Sequence, residues 1–243
     1  MRPFLSPFHF SNPQSETYAT TQVYSFARSL SGPWSPWKEF ADNGSNTYHS
    51  QSTFILPLNA TTAIYMGDRW YPDNLMRSTY VWLPLELTGQ TDIWLRNRVN
   101  WIPELSRGSW RVAPTERVYE GEAATLSNGA RSVSCSGCSG RSAAGYIGGS
   151  EDGTLQVTVT SDVSTKTTLR LGHTNGNSGE RYATVTVNGV SKEVAFLPTN
   201  DGQTPGSSTV NVDLRSGSNT IVIRRSSRGS YVSDIDAIRV PVN

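Results

Sequence analysis

Charge of one sign is what this sequence has least of: 21 Lys and Arg stand against 20 Asp and Glu in 243 residues, a formal charge of +1. Without a one-signed field to attract phosphates or an anionic bilayer, nucleic acid and membrane surfaces are excluded as partners. Long apolar runs are missing too, since none approaches the roughly 18 residues of a membrane span. The opening Met1-Arg2-Pro3-Phe4 is interrupted again at Pro7 and Pro13. A secretory leader needs an apolar stretch there, so no export signal is expected within it. Charged residues make up only 17% of the chain, whereas Gly numbers 21 and Pro 13. That composition disfavours long helices and points to an all-β chain of short strands joined by polar turns.

Tryptophan is absent from the second half: all seven lie between Trp34 and Trp110. Residues 102–117, with Pro103, Pro114 and mixed charge, read as a connecting segment laid along a surface. A domain boundary at about residue 115 follows, giving domains 1–115 and 116–243. In the second domain Leu155, Val157 and Val159 alternate with polar residues, and Val185 and Val187 run into Asn188-Gly189 before Val194 and Phe196. Asn-Gly between alternating runs is a strong hairpin signal. Further runs at Val210-Leu214, Ile221-Ile223 and Ile238-Val240 make about eight short strands, the pattern of a β-sandwich. In the first domain Thr53-Leu56, Ala63-Met66 and Thr79-Leu83 also read as strands. Their aromatic content and Gly-Pro-Trp and Gly-Asp-Arg-Trp turns suit propeller blades, but the domain is too short for a complete propeller.

Four segments carry a specific resemblance: Ser29-Leu-Ser-Gly-Pro-Trp-Ser35, Asn46-Thr-Tyr-His-Ser-Gln-Ser52, Tyr65-Met-Gly-Asp-Arg-Trp70 and Ser78-Thr-Tyr-Val-Trp-Leu-Pro-Leu85. They resemble the last blades of glycoside hydrolase family 43, in its exo-β-1,3-galactanase branch. The second domain opens on Tyr119-Glu-Gly-Glu-Ala123, passes through Gly145-Tyr-Ile-Gly-Gly149 and closes on Asp234-Ile-Asp-Ala-Ile-Arg-Val240. It resembles carbohydrate-binding modules of families 35 and 6, which are β-sandwich jelly rolls. The resemblance implies terminal blades of a five-bladed propeller followed by a binding module, the order found in fungal galactan-degrading enzymes. It also implies that the earlier blades, with most catalytic carboxylates, lie outside this chain.

Of the family's active-site set, the resemblance places only Gln51, where other inverting members carry a general-base aspartate. An amide can hold a water but cannot take its proton at neutral pH. Inverting hydrolysis also needs a protonated carboxyl at the leaving oxygen, and no Glu of this chain is assigned that role. The Asp68-Arg69-Trp70 cluster reads instead as a structural corner of a blade.

Glu120 and Glu122 stand two apart on an expected strand, so their side chains share a face roughly 7 Å apart. Such a pair is commonly a solvated face. Asp236, on a last strand that often lies beside the first, would add a third carboxylate, and three carboxylates with loop carbonyls suit Ca²⁺ at about 2.3–2.6 Å. By resemblance the carbonyls come from Arg141 and Ala144. Tyr146 is either a core aromatic or, as in the related modules, a ring that stacks on a sugar. Asn175, Arg181 and Asp234 are the expected polar contacts, because a pyranose offers an apolar face to a ring and hydroxyls to polar side chains. No second stacking aromatic is found in Leu197–Ser208, which favours a terminal-residue pocket. Cys135 and Cys138 form a lone Cys-x-x-Cys without further metal ligands, so a surface disulfide and an oxidising compartment are expected.

The chain therefore reads as a secreted, monomeric, calcium-containing module for β-1,3-galactan or galactose-terminated glycans, attached to hydrolase blades of a truncated chain. Two alternatives stay open: an active exo-β-1,3-galactanase, and an adhesion or scaffold protein with a decayed hydrolase remnant.

Overall fold

Alternation of apolar and polar residues governs almost every element of the computed structural model, which describes residues 8–11, 21–88 and 91–242. The chain divides into two units, Met1–Ala113 and Pro114–Asn243. In the first unit, β1 (Phe8–Ser11), β2 (Val23–Phe26) and β3 (Lys38–Glu39) form one antiparallel sheet. A second comprises β4 (Gln51–Pro57), β5 (Thr62–Arg69), β6 (Thr79–Thr88) and β7 (Asp92–Leu95) in that order, and β8 (Trp101–Glu104) pairs with β9 (Ser109–Val112) as a hairpin.

Because side chains alternate along a strand, the four-stranded sheet has two unlike faces. Ala63, Tyr65, Val81, Leu83, Leu85, Ile93 and Leu95 are buried against Tyr24 and Phe40. On the other face Phe54 lies opposite Met66, Met66 opposite Trp82, and Trp94 opposite Glu86. Phe54, Leu56, Tyr80, Trp82 and Trp94 of that face are exposed.

The second unit is a sandwich of two antiparallel sheets. One contains β12 (Arg131–Ser134), β13 (Ser142–Gly145), β20 (Asp234–Pro241), β15 (Thr165–Thr174) and β18 (Gly206–Leu214), with β10 (Glu116–Glu120) also paired to β20. The other runs β11 (Thr125–Ser127), β14 (Thr154–Ser161), β19 (Gly217–Arg225), β16 (Arg181–Val187) and β17 (Val190–Phe196). Leu155, Val159, Leu169, Leu171, Val185, Phe196, Ile221, Ile223 and Ile235 fill the space between them. At the β16–β17 turn Asn188 and Gly189 take φ of 50° and 87°, which matches the twist of a tight hairpin. First and last strands lie side by side, with Glu120 opposite Ala237, so the Glu120–Glu122 segment comes close to Asp236. No helix among the described residues is long and apolar enough to cross a membrane.

Candidate functional site

Three groups of expected residues can be located. The first lies at one end of the sandwich, where β13 runs out through Gly145 into Tyr146. Tyr146 adopts φ 58° and leaves the strand with 47% of its surface exposed, so it is not a core aromatic. Arg131, on the neighbouring strand opposite Gly145, places its guanidinium carbon 3.4 Å from the ring centroid. A Cβ at Gly145 would come within 3.1 Å of Asp234 Oδ1, so the glycine lets that carboxylate close in beside the Tyr146 backbone. Burial pushes the Asp234 carboxyl above the usual carboxylate range, an effect partly offset by the Arg181 cation. Arg181 donates from Nη1 to Val232 O at 3.0 Å. With its amide oxygen turned toward Arg181, Asn177 accepts from Nε at 3.2 Å and from Nη2 at 3.0 Å. A half-exposed ring is thus combined with a desolvated carboxylate that lies within the electrostatic reach of a guanidinium. Thr174, the strand partner of Asp234, and Ser233, its chain neighbour, bury hydroxyls with no hydrogen-bond partner among the described residues.

Asn175 stands differently. It is 1% exposed, its Nδ2 donates to Gly179 O and Phe196 O at 3.0 Å each, and its Oδ1 accepts from Asn177 N at 3.1 Å. Its amide is spent on holding the 175–179 loop, and it organises the loop from beneath the cleft. Tyr231, which the sequence did not single out, is 45% exposed and pairs across a bridge with Gly148.

The second group surrounds the Ser139–Arg141 turn, where Gly140 and Arg141 have φ of 62° and 61°. Ser139 Oγ donates to Glu120 Oε2 at 2.6 Å and lies 3.0 Å from Asp236 Oδ1, which also accepts from Ser139 N at 2.8 Å. A Cβ on Gly140 would sit 2.8 Å from Glu122 Oε1. Glu122 Oε2 is buried without a hydrogen-bond partner among the described residues. The Arg141 carbonyl accepts from Cys135 N at 3.0 Å, and Ala144 is buried in β13 opposite Ile235. Two carboxylates thus share one serine, and a third brings Oε1 to the same turn while its Oε2 is left unsatisfied, a hard-oxygen donor set of the kind Ca²⁺ takes. Among the described residues, however, no three His, Cys, Asp or Glu are grouped as a metal-holding cluster. Cys135 and Cys138 form a disulfide at the base of this turn.

The third group is in the other unit. Gln51 opens β4 opposite Asp68, directly after an unusual stretch in which Asn46, Thr47, Tyr48 and His49 all have φ between 48° and 56°. One left-handed turn of L-residues costs about 1–2 kcal/mol per residue, so the surroundings must impose it. Gln22 N donates to Thr47 Oγ1 at 2.8 Å, Ser50 Oγ to Thr47 O at 2.6 Å and Arg69 Nε to Tyr48 O at 2.9 Å. The Tyr48 hydroxyl lies 2.8 Å from Asp42 Oδ2 and 2.9 Å from Leu95 O, and burial raises its pKa to about 12. Arg69 is therefore a prop for the turn, in keeping with a structural corner. The turn fixes where β4 begins and so where Gln51 stands.

No protein-family model matches the sequence, and no curated protein sequence matches it. Solved structures do. The exo-β-1,3-galactanase of Phanerochaete chrysosporium in complex with β-1,3-galactotriose is 33% identical over 96% of this chain and 53% of that chain, with a TM-score of 0.63. The same enzyme with galactose gives 32% identity over the same shares and a TM-score of 0.60. A family 35 carbohydrate-binding module from Clostridium thermocellum is 30% identical over 52% of this chain and 98% of the module, with a TM-score of 0.48. The chain spans about half the length of the galactanase it matches. These matches support a hydrolase-plus-family-35-module architecture, similar to that of the exo-β-1,3-galactanases of glycoside hydrolase family 43.

Proposed function

We propose that residues 116–243 bind galactose-terminated β-1,3-galactan, as the binding module of a secreted protein that acts on plant cell-wall arabinogalactan. The observation that carries this reading is Tyr146, half exposed beside the partly buried Asp234 carboxyl, with the Arg181 cation within electrostatic reach of that carboxyl. An apolar platform next to hydrogen-bonding groups of both kinds is what one face and one rim of a pyranose need. The galactanase to which the chain is similar was solved with galactotriose and with galactose, which directs the choice of sugar. Calcium belongs to the same reading: Glu120, Glu122 and Asp236, with the carbonyls of Arg141 and Ala144, would hold it. It would satisfy the buried Glu122 Oε2 and draw together carboxylates that otherwise repel.

Titration of the full chain with β-1,3-galactotriose in a calorimeter tests the proposal. Binding in the micromolar to millimolar range, about −4 to −8 kcal/mol, is expected for a shallow polar cleft. Heat no larger than that of dilution, in the presence of Ca²⁺, would refute it. Hydrolysis is the second reading, favoured by the match to an enzyme. Gln51 cannot serve as a general base, so the chain alone is expected to release no galactose from β-1,3-galactan. Release at the rate of a complete galactanase would establish the enzymatic reading instead.

A further inference from the structure

The sandwich is open along one side. Its two sheets end there on β17 and β18, each hydrogen-bonded to a single neighbouring strand among the described residues. Val190, Lys192, Val194 and Phe196 alternate along β17 and so share a face. Val194 and Phe196 are buried in the core, whereas Val190 on the same face is 64% exposed. The sheets therefore part at the Val190 end, where a pocket of about 130 Å³ opens. Val185 and Val187 of β16 and Val212 and Leu214 of β18 line it, and all four belong to the core.

Strand register puts this pocket at the far end of the sandwich from Tyr146. At one end of β15 Thr165 lies opposite Leu214, and at the other Thr174 lies opposite Asp234. The length of strand between Thr165 and Thr174 is roughly 30 Å.

The mouth of the pocket is polar and held in place. Lys192 Nζ donates to Asn211 O at 2.7 Å, reaching from β17 to β18. Asn219, only 1% exposed, ties the turn at Asn188 to the turn at Arg215. Its Oδ1 accepts from Asn188 Nδ2 at 2.7 Å and from Arg215 N at 2.8 Å, and its Nδ2 donates to Arg215 O at 2.8 Å. Lys192, Asp213 and Arg215 stand on the rim. Asp213 is paired with Lys166 at 3.3 Å, so positive charge is left in excess.

The lining selects the ligand. A sugar would bury hydroxyls against valine and leucine without hydrogen bonds, which is costly. An apolar cavity of about 150 Å³ holds one benzene ring, so the space suits a single ring. A rigid ring also loses less conformational freedom on binding than an alkyl chain does. A carboxylate on that ring matches the fork of a guanidinium and the charge of an ammonium.

We propose that the pocket between β16 and β18 binds a single-ring aromatic carboxylate, its ring against Val185, Val187, Val212 and Leu214 and its carboxylate at Lys192 and Arg215.

The test titrates the full chain, methyl-labelled at valine and leucine, with benzoate and follows the methyl signals by NMR. Those of Val185, Val187, Val212 and Leu214 should shift saturably, while those of Leu56 and Leu83 in the first unit stay in place. Lys192→Gln combined with Arg215→Gln, both at exposed positions, should weaken benzoate about tenfold. Benzyl alcohol, which has the ring without the charge, should bind the parent about tenfold more weakly than benzoate and bind the double variant equally. Hexanoate, which has the charge without the ring, should bind several-fold more weakly than benzoate. Absent shifts, or shifts scattered over both units, overturn the pocket. A double variant with the parent's benzoate affinity, or benzyl alcohol as tight as benzoate, overturns the carboxylate; hexanoate as tight as benzoate overturns the ring. Each of these results leaves galactan binding at Tyr146 untouched.

Discussion

Thr47→Val isolates one hydrogen bond in the left-handed turn. The side chain is fully buried, and its hydroxyl accepts the Gln22 N–H at 2.8 Å. Valine has the same branching and nearly the same volume, so the strain of a β-branched residue at φ 48° is common to both states of the comparison. What changes is a buried backbone N–H left without its acceptor, at a cost of about 1–3 kcal/mol. In a unit of this size 1 kcal/mol corresponds to roughly 4 °C or more, so the melting temperature should fall by about 4–12 °C. Thr47→Ser, which keeps the oxygen and loses a methyl, should cost about 1 kcal/mol. The assay is built into the composition: every tryptophan lies between Trp34 and Trp110. Tryptophan fluorescence of the full chain therefore follows the first unit alone, while far-UV circular dichroism follows both. An unchanged fluorescence midpoint in the valine variant, or a serine variant as unstable as the valine one, would refute the claim that this bond holds the turn.

Removal of the Tyr146 ring by Tyr146→Ala should cost about 1–3 kcal/mol of galactose affinity, read by calorimetry, with the melting temperature of the sandwich little changed. Thermal melts with Ca²⁺ should exceed those with chelator, since an ion bound only by the folded state stabilises it; Glu122→Ala should abolish the difference, and equal melts for the parent would remove calcium from the proposal. Asp234 has its folded-state pKa raised, chiefly by burial, so its contribution favours folding at low pH and is lost as pH rises through the raised value. Asp234→Asn should accordingly stabilise the sandwich at pH 7, and a gain that persists below about pH 3.8 would contradict that origin. His173 is shifted the opposite way, its pKa lowered mainly by burial, so stability present above about pH 6.5 should fall as acid drives protonation of the unfolded chain; a His173→Gln variant with the same pH slope would refute this.

Strand identity was legible because it depends on local alternation. Leu155 and Val159 are buried, and Asn188-Gly189 turns as its residue types require. The pairing of first and last strands was also anticipated, which brought Glu120 and Asp236 to one serine. What local pattern cannot encode is the direction in which a polar side chain spends its hydrogen bonds. Asn175 lies in a polar loop that resembles a sugar-binding edge, yet the carbonyl of the distant Phe196 claims its amide. Tyr231 escaped notice for a related reason: its platform is a glycine 82 positions earlier in the chain, and only tertiary pairing brings the two together. The left-handed turn has a single hint in Asn46, since Thr47 and Tyr48 are poor residues for that conformation.

The even-numbered face of β4–β7 has a consequence for how the protein behaves at high concentration. Phe54, Leu56, Tyr80, Trp82 and Trp94 together leave roughly 500 Å² of mainly aromatic surface open, at the upper end of what a monomer retains. With a formal charge of only +1, no long-range repulsion keeps two such faces apart. Any self-association through this face would answer to the solvent rather than to charge screening: sulfate and phosphate, which are excluded from protein surfaces, would strengthen it, and mild urea would weaken it.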